Sequence, residues 1–335
     1  VGLAGLAITQ PVLDLMGRNP EFFVAGGYTG RQIVTYALLV VGVPAIVVAG
    51  LYLGAQRVHP STGRWVHAVL VAALGAVFGN VLVRGLGGDG AALAVLAGTT
   101  GAALAIGLSR ARAGSMLLRY LAAAQVLFLL AFVFASPTSA LIGDEAGGGI
   151  GDVSVPEPPG PVVVIVFDEL PVSTLMLPNG TINRERYPAF ARLAEHTTWF
   201  RNASSPHQHT DDAIPAIATG SLVDEGDLPT YQSLPRNLLA LMATSVPVIR
   251  YEPVTDLCPP SACLRRASEP LRQAIEDTVV VYGHRVLPES LRDGLPAIDE
   301  AWGSFGGTVD DEAEGIGPLP EEGDHLARWH RTGDD

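Results

Sequence analysis

Asp168 and Glu169 follow directly on the apolar run Val162-Val-Val-Ile-Val-Phe167, and Thr210 opens the stretch Thr210-Asp-Asp-Ala-Ile, which runs on to Gly220. Two adjacent carboxylates supply the oxygens that a hard or borderline divalent cation takes, and the cation offsets the cost of packing like charges together. A hydroxyl in the first turn of a helix sits beside unpaired N–H groups and the positive end of the helix dipole, where a tetrahedral anion binds. Held on the cation, that hydroxyl loses its proton more readily and becomes a nucleophile. His207 and His209, in the turn just before Thr210, are candidates for contact with a bound substrate. Each feature also has an ordinary explanation, a solvated strand end for the acids and a plain helix cap for the threonine.

The elements that must position these groups are those of an α/β domain. The run from Pro161 to Phe167 is β-branched, apolar on both faces and too short for a helix, so it reads as a central strand of a covered parallel sheet. In open sheets of that kind the ligand lies beyond the carboxyl ends of the strands, where Asp168 and Glu169 stand. A helix is predicted over 187–196 with Phe190 and Leu193 inward, then a short strand over 198–201. Thr210 is the expected N-cap of the next helix, with Asp211 and Asp212 in its first turn and Gly220 as its stop. A helix over 237–242 and a strand over 246–251 continue the alternation.

Val-Ile-Val-Phe-Asp-Glu, then Tyr-Pro-Ala-Phe-Ala-Arg-Leu-Ala, Thr-Trp-Phe-Arg-Asn-Ala and Thr-Asp-Asp-Ala-Ile-Pro-Ala-Ile-Ala-Thr-Gly together resemble the front half of the sulfatase branch of the alkaline phosphatase superfamily. The resemblance spans about 60 residues and weakens towards residue 305. It implies that the first strand ends in metal ligands, Asp168 and Glu169, and that Thr210, ten residues before Gly220, is the nucleophile and a third ligand. Sulfatases carry Cys or Ser followed by x-Pro-x-Arg, the signal for formylglycine, whereas this chain has Thr210-Asp-Asp-Ala-Ile. The threonine is closer to membrane-bound phosphoethanolamine transferases and lipoteichoic acid synthases, in which a single Glu, matched by Glu169, serves on the first strand. The implied cofactor is a divalent metal ion (Zn, Mn, Mg or Ca), and the implied substrate is a phosphate or sulfate ester of the envelope, such as a lipid head group. The family's later Asp-His-Gly has no counterpart, and Asp324-His325-Leu follows no apolar strand. The expectation is therefore an α/β domain incomplete at its C-terminus, with a half-built metal site and little activity in this form.

Charge divides the chain. Residues 1–140 carry eight Arg against three acids, and the remainder carries thirteen Arg against 31 acids, within a net charge of −13. A basic apolar half joined to an acidic half reads as a membrane anchor with a soluble domain, and the acidity argues against nucleic acid as a partner. Segments 32–54, 65–83, 90–108 and 117–135 are each long and apolar enough to cross the roughly 30 Å hydrocarbon layer, and Pro44 is expected only to kink its helix. Val1 to Met16 reads as the tail of a further span. Arg57, Arg64, Arg110, Arg112 and Arg119 fall on one side, against Arg18, Arg31 and Arg84 on the other. That bias places the soluble domain outside the cytoplasm of a multi-pass plasma-membrane protein.

Residues 1–135 thus form a helical membrane domain, 136–161 a Gly/Pro-rich linker and 162–335 the sulfatase-like domain. Cys258 and Cys263, in one Pro-containing loop outside the cytoplasm, are expected to form a disulfide rather than a zinc pair. Two classes of function fit: a membrane-anchored metal-dependent hydrolase or transferase acting through Thr210, and a non-enzymatic envelope scaffold that keeps the fold.

Overall fold

The computed structural model describes residues 1–88, 90–143, 153, 155–156, 158–168, 170–224, 226–263, 268–298, 303 and 305. Glu169, His325 and His330 lie outside them. The chain divides into two compact units, 1–145 with 266–335, and 146–265.

In the first unit, α1 (Gln10–Arg18) and α2 (Glu21–Ala25) precede four long helices, α3 (Gly30–Val58), α4 (Pro60–Gly85), α5 (Ala91–Arg110) and α6 (Arg112–Ala135). Each of the four is long and apolar enough to cross a bilayer, with windows of mean hydropathy between 1.9 and 2.4. Thr29 caps α3 in a reciprocal box: its hydroxyl accepts from Gln32 N–H while the Gln32 side chain accepts from Thr29 N–H. Helix α3 runs through Pro44 without ending.

Close packing between α4 and α5 follows from small residues. A Cβ on Gly101 would lie 2.2 Å from the Gly75 carbonyl oxygen, and one on Gly79 would lie 2.3 Å from that of Ala97. In lipid, where apolar side chains gain nothing by leaving solvent, such Gly-xxx-Gly contacts let backbones approach and gain dispersion energy. Away from this seam the helices expose Ile46, Leu51, Val95 and Leu127, as a lipid-facing surface should.

The core of this unit gathers at one end of the bundle, where Phe23 packs edge-on against Tyr28, Tyr36 and Phe132. A late helix, α10 (Leu271–Val286), joins it and buries Ala274, Asp277 and Thr278 on one face. Thr278 Oγ1 lies 2.7 Å from Tyr36 Oη, Tyr282 donates to the Ala7 carbonyl, and Asp277 accepts from Gln273 and from Phe305 N–H at 3.0 Å each. Sequence alone grouped 268–298 with the second domain and offered no helix over 271–286; by its contacts this segment belongs to the first unit. Val1 to Met16, read as the tail of a span, is helical and mostly buried in the same unit.

The second unit holds α7 (Pro188–His196), α8 (Thr210–Thr219) and α9 (Leu238–Met242). Asn237 caps α9, its Oδ1 accepting from Ala240 N–H at 3.0 Å while its Nδ2 donates to the Leu234 and Leu257 carbonyls. Around it Leu228, Val254, Leu257, Cys258 and Cys263 are buried. The two cysteines lie at disulfide distance, with Cα atoms 6.1 Å apart. Residues 162–167, 198–200 and 247–251 carry no regular secondary structure; among the described residues no strand ladder forms, and two isolated bridges, Met176 with Ile182 and Thr230 with Asp256, are the β-pairing present. The inward position expected for Leu193 is corrected: it is 58% exposed, and Ala191 is the buried residue of α7.

Candidate functional site

Local sequence chemistry brings Thr210 and Asp168 together. The chain passes through 162–167 without regular secondary structure, Phe167 packs edge-on against Phe190 of α7 at 5.8 Å between ring centroids, and Asp168 comes next. Helix α8 begins at Thr210 and ends at Gly220, whose φ of 70° is the left-handed conformation that glycine adopts without a Cβ clash. His209, in an extended conformation, is the N-cap; Thr210 is the first helical residue, one position later than the cap that its residue type suggested. The shift frees the hydroxyl from capping. Thr210 Oγ1 donates instead to the Asp168 carboxylate, 3.0 Å from Oδ1 and 3.2 Å from Oδ2, across 42 residues of sequence. Thr210 is half-buried and Asp168 exposed, so both can be reached from solvent.

The start of α8 is acidic. Asp211 and Asp212 occupy the first turn of α8. Buried atoms His207 Nε2, Asp211 Oδ1 and Trp199 Nε1 have no hydrogen-bond partner among the described residues. Unpaired buried polar atoms cost on the order of 1–3 kcal/mol each, so these three are open to a polar partner. His209 is exposed, and Ser205 Oγ donates to the His207 carbonyl at 2.6 Å.

Three oxygens from Asp168 and Thr210 already converge, and they are of the hard type that a divalent cation prefers. Among the described residues no group of three or more His, Cys, Asp or Glu side chains is placed to hold a metal, and Glu169 lies outside that set. The donors present therefore fit a cation in kind.

Sequence reasoning missed a second polar centre in this unit. Arg250, almost fully buried, pairs with Glu252 at 3.2 Å and Asp256 at 2.8 Å, and Glu252 also accepts from Thr255 and from Leu257 N–H. This network braces the chain entering the Cys258–Cys263 loop. Nothing in the apolar run before Arg250 signalled a buried ion pair. His284, in the first unit, donates from Nε2 to the Pro296 carbonyl at 2.8 Å.

No protein-family model, curated protein or solved structure matches this chain.

Proposed function

We propose that this chain belongs to a membrane-anchored enzyme that cleaves or transfers phosphate esters of the cell envelope, sulfate esters being the lesser alternative, with Thr210 as the attacking residue. The single observation that carries this reading is the hydrogen bond from Thr210 Oγ1 to Asp168. A threonine at a helix start ordinarily caps its own backbone; this one turns its hydroxyl towards a carboxylate that can take its proton.

In the step envisaged, Thr210 Oγ1 bonds to phosphorus as the bond from phosphorus to the leaving oxygen breaks, and the hydroxyl proton passes to Asp168. The leaving oxygen is protonated from water, and a second hydroxyl, from water or an acceptor, then takes the phosphoryl group and restores Thr210. Dipole and charge set the requirement for a cation. The α8 N-terminus offers roughly half a positive charge, whereas Asp168, Asp211 and Asp212 place three carboxylates by the same helix start, so an anionic ester needs further positive charge. Asp168, Glu169 and Thr210 would hold a divalent ion that screens the ester and lowers the hydroxyl's pKa. The orphaned His207 Nε2 would donate to or accept from the bound ester, with His209 beside it. The four apolar helices would keep the reaction at the membrane, and the apolar segments over 162–167, 198–201 and 246–251 would supply strands of a mostly parallel sheet around the site.

Turnover of an aryl phosphate ester by the intact membrane protein, with a divalent metal present, tests the reading. Thr210→Ala should abolish it while costing only about 1 kcal/mol of stability, and Thr210→Ser should retain part of it. Full activity in Thr210→Ala would leave the non-enzymatic scaffold as the better account.

A further inference from the structure

Antiparallel packing gathers five arginines at one end of the helical bundle. Helices α4 and α5 meet with Gly79 against Ala97 and with Gly75 against Gly101 and Ala105, so the start of α4 lies level with the end of α5. Gly63 of α4 packs on Gln56 of α3, and Gly114 of α6 packs on Leu108 of α5, so the α3–α4 and α5–α6 connections share this end. Arg57 and Arg64 flank the first connection, Arg110 and Arg112 flank the second, and Arg119 follows about two turns into α6. We propose that this rim binds the anionic phospholipid head groups of the leaflet that it faces.

The charge on the rim is uncompensated. All five side chains are exposed, and none makes an ion pair or a side-chain hydrogen bond among the described residues. Residues 30–143 contain a single acid, Asp89, which falls in sequence between α4 and α5, whereas Arg64 stands roughly 30 Å along α4 from the end of that helix. Helix dipoles do not neutralise the arginines either. Two helices end and two begin at this rim, each terminus carrying about half a charge of alternating sign, so the four contributions cancel. At the other end of the bundle Arg18 is already paired, with Asp14 at 2.8 Å.

Arginines beside membrane spans ordinarily serve to orient the chain during insertion. That role ends once the helices are in place, and the guanidinium groups remain. Their surroundings select a lipid as the lasting partner. Trp65 and Tyr120, 74% and 69% exposed, adjoin Arg64 and Arg119 in sequence and are of the type that settles at head-group level. Arg119 lies about 10 Å along α6 from Arg112, inside a helix that qualifies as a span, where an exposed guanidinium must reach up to the head groups or draw a phosphate to itself. The forked donors of arginine match phosphate oxygens two at a time. His59 adds a neutral donor: its Nδ1 accepts from Ser61 N–H at 3.2 Å, which leaves the ring proton on Nε2. A second copy of the chain docked through the same rim would set five positive charges against five, so the bundle end is matched instead by an anionic leaflet, which attracts basic residues at its surface.

This surface is separate from Thr210, and its test reads lipid association rather than turnover, so either proposal can fail alone. The full chain is reconstituted in phosphatidylcholine bilayers with a trace of spin-labelled phosphatidylglycerol or spin-labelled phosphatidylcholine. Electron spin resonance then reads the fraction of each label immobilised at the protein. Wild type should favour phosphatidylglycerol by at least about fivefold, the effect of one basic residue at an anionic surface. The preference should fade in about 1 M salt, where the screening length falls to about 3 Å. Replacing Arg57, Arg64, Arg110 and Arg112 together by Gln should abolish it, and replacing the same four by Lys should keep most of it. Arg31→Gln with Arg84→Gln, at the opposite end, should leave it intact. Equal immobilisation of the two labels by wild type, a preference indifferent to salt, or one that persists in the fourfold glutamine variant would overturn the proposal. Release of the phosphatidylglycerol label by polyglutamate at equal charge would assign the rim to an acidic polypeptide and overturn it as well.

Discussion

Two surfaces of this protein expose large apolar side chains for opposite reasons. On α3 to α6 residues such as Ile46 and Val95 are exposed, yet every turn of those helices closes its own hydrogen bonds, so the bare apolar face is complete once lipid covers it. In the second unit Val162 to Phe167 are also exposed, up to 75% at Val163, but the segment has no regular secondary structure and makes no backbone hydrogen bond among the described residues. Lipid would satisfy the first surface and would leave the second with unpaired N–H and C=O groups. Exposure therefore has meaning only together with the state of the backbone beneath it.

Breaking the helical side of this contrast should have the largest effect. Gly101→Leu drives a side chain into the Gly75 carbonyl and should cost about 3 kcal/mol or more, seen as loss of cooperative thermal unfolding in detergent. Gly50→Leu, where a Cβ meets open space, should leave the transition where it was. Equal effects of the two would mean that α4 and α5 do not pack through their glycines.

In the second unit, where no strand ladder forms among the described residues, the braced loop supplies a buried polar network. Arg250→Ala leaves Glu252 and Asp256 without their buried cation and should destabilise this unit by about 3 kcal/mol, whereas removing the short disulfide loop through Cys258→Ser should cost about 2 kcal/mol. Limited proteolysis across 226–263 would rank the two.

Alkaline pH should act on the first unit. Burial, then the Glu269 and Asp277 carboxylates, push the Tyr28 hydroxyl well above its ordinary range, and burial pushes Tyr282 up to about 12. Both favour the neutral phenol when folded, so their contribution is whole below about pH 10, the unfolded value, and is lost as pH rises through the folded values. Tyr282→Phe should flatten the part of that loss lying between pH 10 and 12. The smallest effect belongs to the exposed Arg184–Glu195 pair, where the hydrogen bond and charge of Arg184 hold the Glu195 carboxyl below its usual range. Glu195→Gln should produce no measurable change in unfolding.

Legibility in sequence followed the range of the interactions. The four spans could be read because a run of apolar residues and local hydrogen bonding suffice to specify them; most observed ends lie outside the expected ones, by as much as five residues at Pro60 and Arg112. Helix α8 and its stop at Gly220 were legible for the same reason. Helix α10 was not, because Val279-Val-Val281 reads as strand, and what makes it helical is burial of Ala274, Asp277 and Thr278 against residues more than 200 positions earlier, Tyr36 among them. The sheet expected around 162–167 depends on partners distant in sequence, and no such partner lies among the described residues. At the candidate site, residue types pointed to Thr210 and Asp168, while the hydrogen bond joining them needed three dimensions.

The central claim is that Thr210 Oγ1 is the attacking atom. Intact membrane protein, mixed with an aryl phosphate ester and a divalent metal, quenched in acid and digested, should yield one phosphorylated peptide with the phosphoryl group on Thr210, absent in Thr210→Ala. A phosphoryl group found on another residue, or turnover that persists with Thr210 replaced by Ala, would contradict it.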